Sequence, residues 1–225
     1  PERGAFVVTL GTDTTSVERH VRDGDRLEIE MVGRSPRVLQ RRFLYQYRDG
    51  AIDRMSMEVT PPGAVVPIQT VTAAVDGDSL RTESVSGTAA PVRAALSFPR
   101  GTLLTSLASP WAVYQAEIQR LLRSKSDTLG GRVVYLGASN SERWLLRRLG
   151  RDSVTFSNTR NDLFNARVDG KGRILGTRAL GGTFRVEARR VDDMDLDALS
   201  IAFQAREQAG AGLGTLSPRD TVRAE

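Results

Sequence analysis

One pattern occurs twice in this chain, and it limits the folds available to it. Val7-Val8-Thr9-Leu10-Gly11 returns as Val133-Val134-Tyr135-Leu136-Gly137, and at the same offset Gly24 falls on Gly150. A strand, a polar loop, a second strand and a tight turn therefore recur in one order, which implies an antiparallel sheet built in two passes.

Asp-Gly marks hairpins because both residues tolerate the positive φ of a two-residue turn. It occurs at Asp23-Gly24, Asp49-Gly50, Asp76-Gly77 and Asp169-Gly170. The first three lie 26 and then 27 residues apart, two strands and two connections per step, the rhythm of an up-and-down meander. Apolar and polar residues alternate between these turns. Leu27, Ile29 and Met31 oppose Arg26, Glu28 and Glu30; Val92, Ala94, Leu96 and Phe98 oppose Arg93 and Ser97; Phe184, Val186 and Ala188 oppose Arg185, Glu187 and Arg189. Strands are expected near 5–11, 15–22, 26–33, 37–48, 51–60, 66–75, 78–86 and 91–98, and then near 132–137, 142–149, 153–158, 162–168, 173–179 and 183–190.

One segment between the repeats has helical spacing instead. Over 109–123, Ser109 is placed to cap and Pro110 to start a helix, and Trp111, Tyr114, Ile118, Leu121 and Leu122 form a stripe. Gln115, Gln119, Arg120 and Arg123 take the other side of this amphipathic helix. A second helix is expected from about Leu196 to Glu207, capped by Asp193 and Asp195, with Leu199, Ile201, Ala202 and Ala205 buried. Residues 1–207 read as a single β-rich domain with repeats at about 5–98 and 131–190, and the glycine-rich 208–225 as a linker or tail.

Composition narrows the function classes. At 225 residues, 40% hydrophobic and 26% charged, the chain suits a globular protein, and no apolar run reaches the roughly 20 residues of a membrane-spanning helix. The net charge of +5 is spread over arginines that sit beside carboxylates, as in Arg26-Leu27-Glu28-Ile29-Glu30, so no nucleic-acid footprint forms. Arg41-Arg42 and Arg147-Arg148 are local excesses. The absence of cysteine removes disulfides and thiolate chemistry, and with one histidine a zinc or copper site built from this chain alone is not expected. No cofactor or metal is expected.

The stretch Leu10-Gly11-Thr12-Asp13-Thr14-Thr15 and the junction Leu216-Ser217-Pro218-Arg219-Asp220-Thr221-Val222-Arg223 resemble uncharacterised exported proteins of bacteria, in which a β-rich domain precedes a small domain of unknown function. The resemblance covers the two ends and imports no catalytic residue. It implies a periplasmic or secreted setting, a signal peptide already removed before Pro1, and a further domain beyond Glu225.

Candidate chemistry is sparse. Alternation puts His20 with Glu18 and Ser16 on the face expected to be solvated, opposite Val17 and Val21, and no Gly-x-Ser-x-Gly elbow accompanies it. The acidic run from Asp192 to Asp197 lacks the glycine and distant glutamate of a calcium loop, and capping of the next helix accounts for it. Gly210, Gly212 and Gly214 follow a helix rather than a strand, which is the wrong context for a phosphate loop. A hydrolase would need two or more of His20, Asp53, Glu83 and Asp162 to converge.

The aromatic residues are more informative. Phe43, Tyr45 and Tyr47 share a strand face with Leu39 and Arg41, Trp111 and Tyr114 share the helix stripe, and Trp144 lies on a strand of the second repeat. If the sheet closes over the helix these six form core; if it stays open they line an apolar site. The expected fold is mainly β (α+β): a curved antiparallel sheet or half-barrel of two meander repeats around a central amphipathic helix, lipocalin-like or lipoprotein-carrier-like in plan. The expected function is non-enzymatic: an exported domain holding an apolar small molecule, lipid or envelope component at Phe43, Tyr45, Tyr47, Trp111, Tyr114 and Trp144. The alternative is a packed structural or interaction module without a ligand cavity, whose partner docks on an arginine-bearing face or on a domain beyond Glu225.

Overall fold

A computed structural model describes residues 1–34, 37–136, 141–159, 162–181 and 185–210. The first pass comprises β1 (Glu2–Leu10), β2 (Asp13–Asp23), β3 (Arg26–Gly33), β4 (Leu39–Arg48), β5 (Ala51–Thr60), β6 (Gln69–Asp76), β7 (Ser79–Ser86) and β8 (Val92–Ser97). A short strand β9 (Leu103–Thr105) leads into helix α1 (Trp111–Arg123). The second pass is β10 (Thr128–Tyr135), β11 (Ser141–Arg148), β12 (Ser153–Asn158), β13 (Leu163–Val168), β14 (Ile174–Gly181) and β15 (Val186–Val191), followed by helix α2 (Leu196–Ala209). Among the described residues no helix is long and apolar enough to cross a membrane.

Among the described residues fifteen strands form one sheet, ordered β8-β7-β6-β5-β4-β3-β2-β1-β15-β14-β13-β12-β11-β10-β9. Each meander pairs only consecutive strands, and the two meet where β1 lies antiparallel to β15, with Ala5 opposite Val191 and Leu10 opposite Val186. The repeat is visible in this plan, since the hairpin β1–β2 opens the first pass and β10–β11 the second. Gly24 and Gly150 occupy the connections that follow these hairpins, whereas Gly137 lies outside the described residues. The two edge strands, β8 and β9, are separated in the chain by residues 98–102 alone. The sheet therefore coils back toward its own start without closing, a β-barrel-like wall with a seam.

The Asp-Gly turns set the register. Asp49 and Gly50 both have positive φ, 52° and 74°, between the facing residues Arg48 and Ala51. At Gly24 and Gly77 the glycine takes the first central position, between the facing pairs Asp23–Arg26 and Asp76–Ser79. At Asp169 the turn is longer: its carboxylate accepts the amides of Lys171 and Arg173, both at 2.9 Å, and Gly172 has the positive φ of 73°.

One apolar core draws on both meanders and on α1, from Phe6, Ile29, Phe43 and Tyr45 to Ile118, Leu146, Phe156 and Phe164. A smaller cluster, Val17, Val32, Val38, Leu196 and Phe203, lies under α2. Four expectations need correction. Glu18, His20 and Ser16 are buried inside the barrel rather than solvated, because α2 covers the opposite face of β2 at Val17 and leaves the Glu18 face to meet α1. Gln115 and Gln119 of α1 are buried as well, since the wall surrounds the helix instead of supporting one side. The buried stripe of α2 is Leu196, Ser200 and Phe203, while Ile201 is 67% exposed. Along β8 the alternation does not translate into burial: Val92 is 69% exposed and Ala94 is also exposed, because no strand covers this edge. Strand β9 has no alternation to reveal it, as Leu103, Leu104 and Thr105 are all buried. Phe184 and the tail from 211 onward lie outside the described residues.

Candidate functional site

The interior is where polar chemistry and aromatic surface meet. At the repeat offset, the inward residues Glu18, His20 and Arg22 of β2 correspond to Trp144, Leu146 and Arg148 of β11. The two walls thus carry different chemistry, and α1 is held between them. At its N-terminus Pro110 provides no side-chain cap, and Ser109 (φ 38°) turns its hydroxyl to the carbonyl of Ser106. Glu18 supplies the cap from across the barrel, its carboxylate accepting the amides of Trp111 at 2.9 Å and Ala112 at 2.8 Å. At the other end Arg148 donates to the carbonyls of Leu121 at 3.3 Å and Leu122 at 3.2 Å. Negative charge at the start of the helix and positive charge at its end both match the helix dipole.

Between the clamps, Gln115 and Gln119 of α1 bond to the wall. The Gln115 carbonyl accepts from the amide of Ile174 at 3.0 Å and from Arg190 at 3.1 Å, while its Nε2 donates to Glu2 at 2.7 Å. Gln119 donates to the same Glu2 carboxylate at 3.0 Å. Glu117 pairs with Arg120 at 2.7 Å, near Arg22, whose guanidinium lies 4.8 Å from the ring centre of Tyr47. Desolvation dominates here. Burial pushes the Glu18 carboxyl up to about 7 against the pull of its two amide donors, and does the same to Glu117, also to about 7, against Arg120 and Arg22. His20, stacked on Phe6 at 5.6 Å, is pushed down to about 4 by burial and by Arg190, so its imidazole is neutral at pH 7.

The six aromatic residues expected at a site all reach this interior. Phe43, Tyr45 and Tyr47 form one wall with Phe43 and Tyr45 stacked at 6.4 Å. Trp111 and Tyr114 point from α1 into a ring cluster with Phe164 at 4.8 and 5.9 Å, Tyr114 meets Phe156 at 5.0 Å, and Trp144 stacks on Phe156 at 6.4 Å. Phe156 and Phe164, absent from the sequence-level set, face each other across β12 and β13 at 4.8 Å; their alternation with Thr155, Ser157 and Asn165 was the available signal. The hydroxyls of Tyr45 and Thr105 lie against each other, whereas that of Tyr47 is buried without a hydrogen bond, as are polar atoms of His20, Arg22, Glu117, Arg120 and Arg148; burial raises both tyrosines above their usual range.

The hydrolase set does not assemble. His20 is inside, Asp53 pairs with Arg48 at 3.1 Å, Glu83 pairs with Arg93 at 2.6 Å on the outer face, and Asp162 bonds Asn158 at 2.9 Å. Asp195 caps α2 by accepting the amide of Ala198 at 2.9 Å, and Asp193 accepts that of Met194.

Two concavities lie on the outside. One of about 750 Å³ runs across β4–β8, with small residues such as Ser56, Thr72, Ala74 and Ala95 between Arg54, Arg81 and Arg93. Another of about 310 Å³ lies beside the start of α2, among Arg19, Glu30, Arg42 and Glu58. None of the six aromatic residues lines either one.

No protein-family model matches the chain, and no curated protein matches it. Solved structures do resemble it. A DUF1089 family protein from Pseudomonas aeruginosa superposes with a TM-score of 0.54 at 16% identity, covering 72% of this chain and 89% of that one. A beta-barrel-like protein of the domain of unknown function DUF1849 from Brucella abortus gives a TM-score of 0.54 at 10% identity, covering 86% of this chain and 97% of its own. At these identities the likeness is one of fold: the chain is similar to β-barrel-like proteins whose function is unknown.

Proposed function

We propose that the protein is a non-catalytic binding domain whose interior takes an apolar ligand with a small polar head, and that α1 fills this compartment in the ligand-free state. The observation that carries the reading is the buried aromatic wall of Phe43, Tyr45 and Tyr47, on which the Tyr47 hydroxyl is left without a hydrogen bond. An unpaired polar group costs free energy where it is, and a ligand head placed beside Tyr47 would recover it. The composition of α1 supports the same reading. The helix carries Gln115, Glu117, Gln119 and Arg120, which water can solvate once the clamps at Glu18 and Arg148 release. Displacement of α1 would present Phe43, Tyr45, Tyr47 and Trp144 to the ligand, with Trp111 and Tyr114 moving with the helix. The periplasmic or secreted setting implied by the resemblance of the chain ends belongs to this proposal.

Native mass spectrometry and tryptophan emission with oleate test it. Binding should be saturable, should shift the emission of Trp111 and Trp144, and should tighten in Arg148→Ala, where the helix is released more easily. No bound species at a tenfold excess of oleate in either protein would overturn the reading. The packed interaction module would then stand, a view that the close ring contacts of the interior and the concavities on the outer face support.

A further inference from the structure

Strand β4 carries Arg41 on the same face as Leu39, Phe43, Tyr45 and Tyr47, the face turned to the interior. Its neighbours agree with this direction. Arg41 lies opposite Met31 of β3 and Val59 of β5, both part of the interior core, and opposed residues of an antiparallel pair share a face. The guanidinium rests over Gly33. A Cβ at Gly33 would stand 3.2 Å from Nη1 of Arg41 and 3.8 Å from the Cβ of Ser16, the residue that faces Gly33 on β2. Gly33 has no positive φ, so the strand conformation does not itself demand a glycine there. Glycine weakens a strand interior and marks a place where another group comes close. Here that group is the guanidinium, and the missing side chain makes its room.

Charges withdrawn from water are ordinarily paired. Arg19 and Arg42 share Glu30 on the outer face, Arg34 holds Asp13 at 2.8 Å, and Arg148 and Arg190 donate to backbone carbonyls. Arg41 is different. Half-buried, it makes no hydrogen bond or ion pair among the described residues, and burial alone lowers its guanidinium, with no carboxylate near enough to oppose that. The Ser16 hydroxyl beside it is also without a hydrogen bond, on a residue only 7% exposed. Two free donors therefore flank a position left open by a glycine, and no acceptor of the chain serves either one.

We propose that Arg41 and the Ser16 hydroxyl, on either side of Gly33, form a binding site for a small oxyanion, a carboxylate or phosphate group. The planar guanidinium offers parallel N–H donors to two oxygens of such a group, and Ser16 supplies a further donor. Met31 and Val59, beside Arg41 on the neighbouring strands, would meet an alkyl chain attached to the anion. The site lies toward the opposite end of β4 from Tyr47 and does not require α1 to move. It therefore stands whether or not the interior takes an apolar ligand.

The test titrates the whole chain at constant ionic strength with sodium phosphate, with dodecyl phosphate and with dodecyltrimethylammonium, followed by amide chemical shifts. Phosphate should bind with a Kd on the order of 1 mM and perturb Ser16, Gly33 and Arg41, and Arg41→Gln should weaken it at least about tenfold. Gly33→Ala is the second variant. It keeps the charge but crowds the guanidinium, and it should weaken phosphate by about threefold or more. Dodecyl phosphate at least about tenfold tighter than phosphate supports the site and assigns it to the head of an amphiphile; equal affinities support it and assign it to the free ion. No perturbation of these residues at about 20 mM phosphate overturns the proposal. So does phosphate binding indifferent to both variants, or dodecyltrimethylammonium binding at these residues as tightly as dodecyl phosphate.

Discussion

Glu18 shows how far a residue's role can depart from its place in a pattern. Alternation assigns it to one face of β2, and only the location of α1 makes that face interior. Its carboxyl titrates near 7 in the folded chain against 4.5 for the free group, as does that of Glu117. Raised carboxyls contribute stability that is fully present below pH 4.5 and lost as pH rises through 7, on the order of 3 kcal/mol for each group. His20 works the other way. Lowered from 6.5 to about 4, it contributes stability that is present above pH 6.5 and lost as pH falls toward 4. Chemical denaturation between pH 5 and pH 8 should therefore show stability falling with pH. In His20→Phe, which removes the opposing group, the fall should be steeper. A wild-type profile that rises across this range would show that these carboxyls are not desolvated.

At the scale of elements, α1 depends on the wall more than on its own sequence. It lacks a local N-terminal side-chain cap and takes one from β2, and Trp111 is its largest anchor, only 6% exposed and edge-on to Phe164. Trp111→Ala should cost about 3–5 kcal/mol, and an unchanged thermal melt would contradict the packing described. Helix α2 is held differently, by its own cap at Asp195 and by Phe203 against Val17 and Val32. Asp195→Ala should cost about 1 kcal/mol, whereas Asp192→Ala, at an exposed position with no bond to α2, should be nearly silent in the same melts. The elements themselves were legible in the sequence wherever turn and period agreed, as at Asp49-Gly50 between β4 and β5. Strand β9 was not, because a short strand buried on both faces has no period.

For the whole molecule, the pairing of β1 with β15 and the passage of α1 between the two meanders make each half incomplete alone. Residues 1–98 expressed by themselves should lack a cooperative thermal transition, since Phe43, Tyr45 and Met57 would face water without α1. Mixing them with residues 99–210 should restore the transition, and a cooperative melt of the first half alone would show that the meanders fold independently.

Spacing and turn chemistry in the sequence were enough to determine that this protein is a meander in two passes with one helix between them, because strand period and hairpin geometry are local properties. They also picked out six of the aromatic residues that reach the interior, but not Phe156 and Phe164. Tertiary structure alone decided which face of β2 is inside, that Gln115 and Gln119 of α1 are enclosed, and that β8 is left bare while β9 is covered. Each of these depends on what lies opposite a residue in space, and alternation along a strand records only that two faces differ.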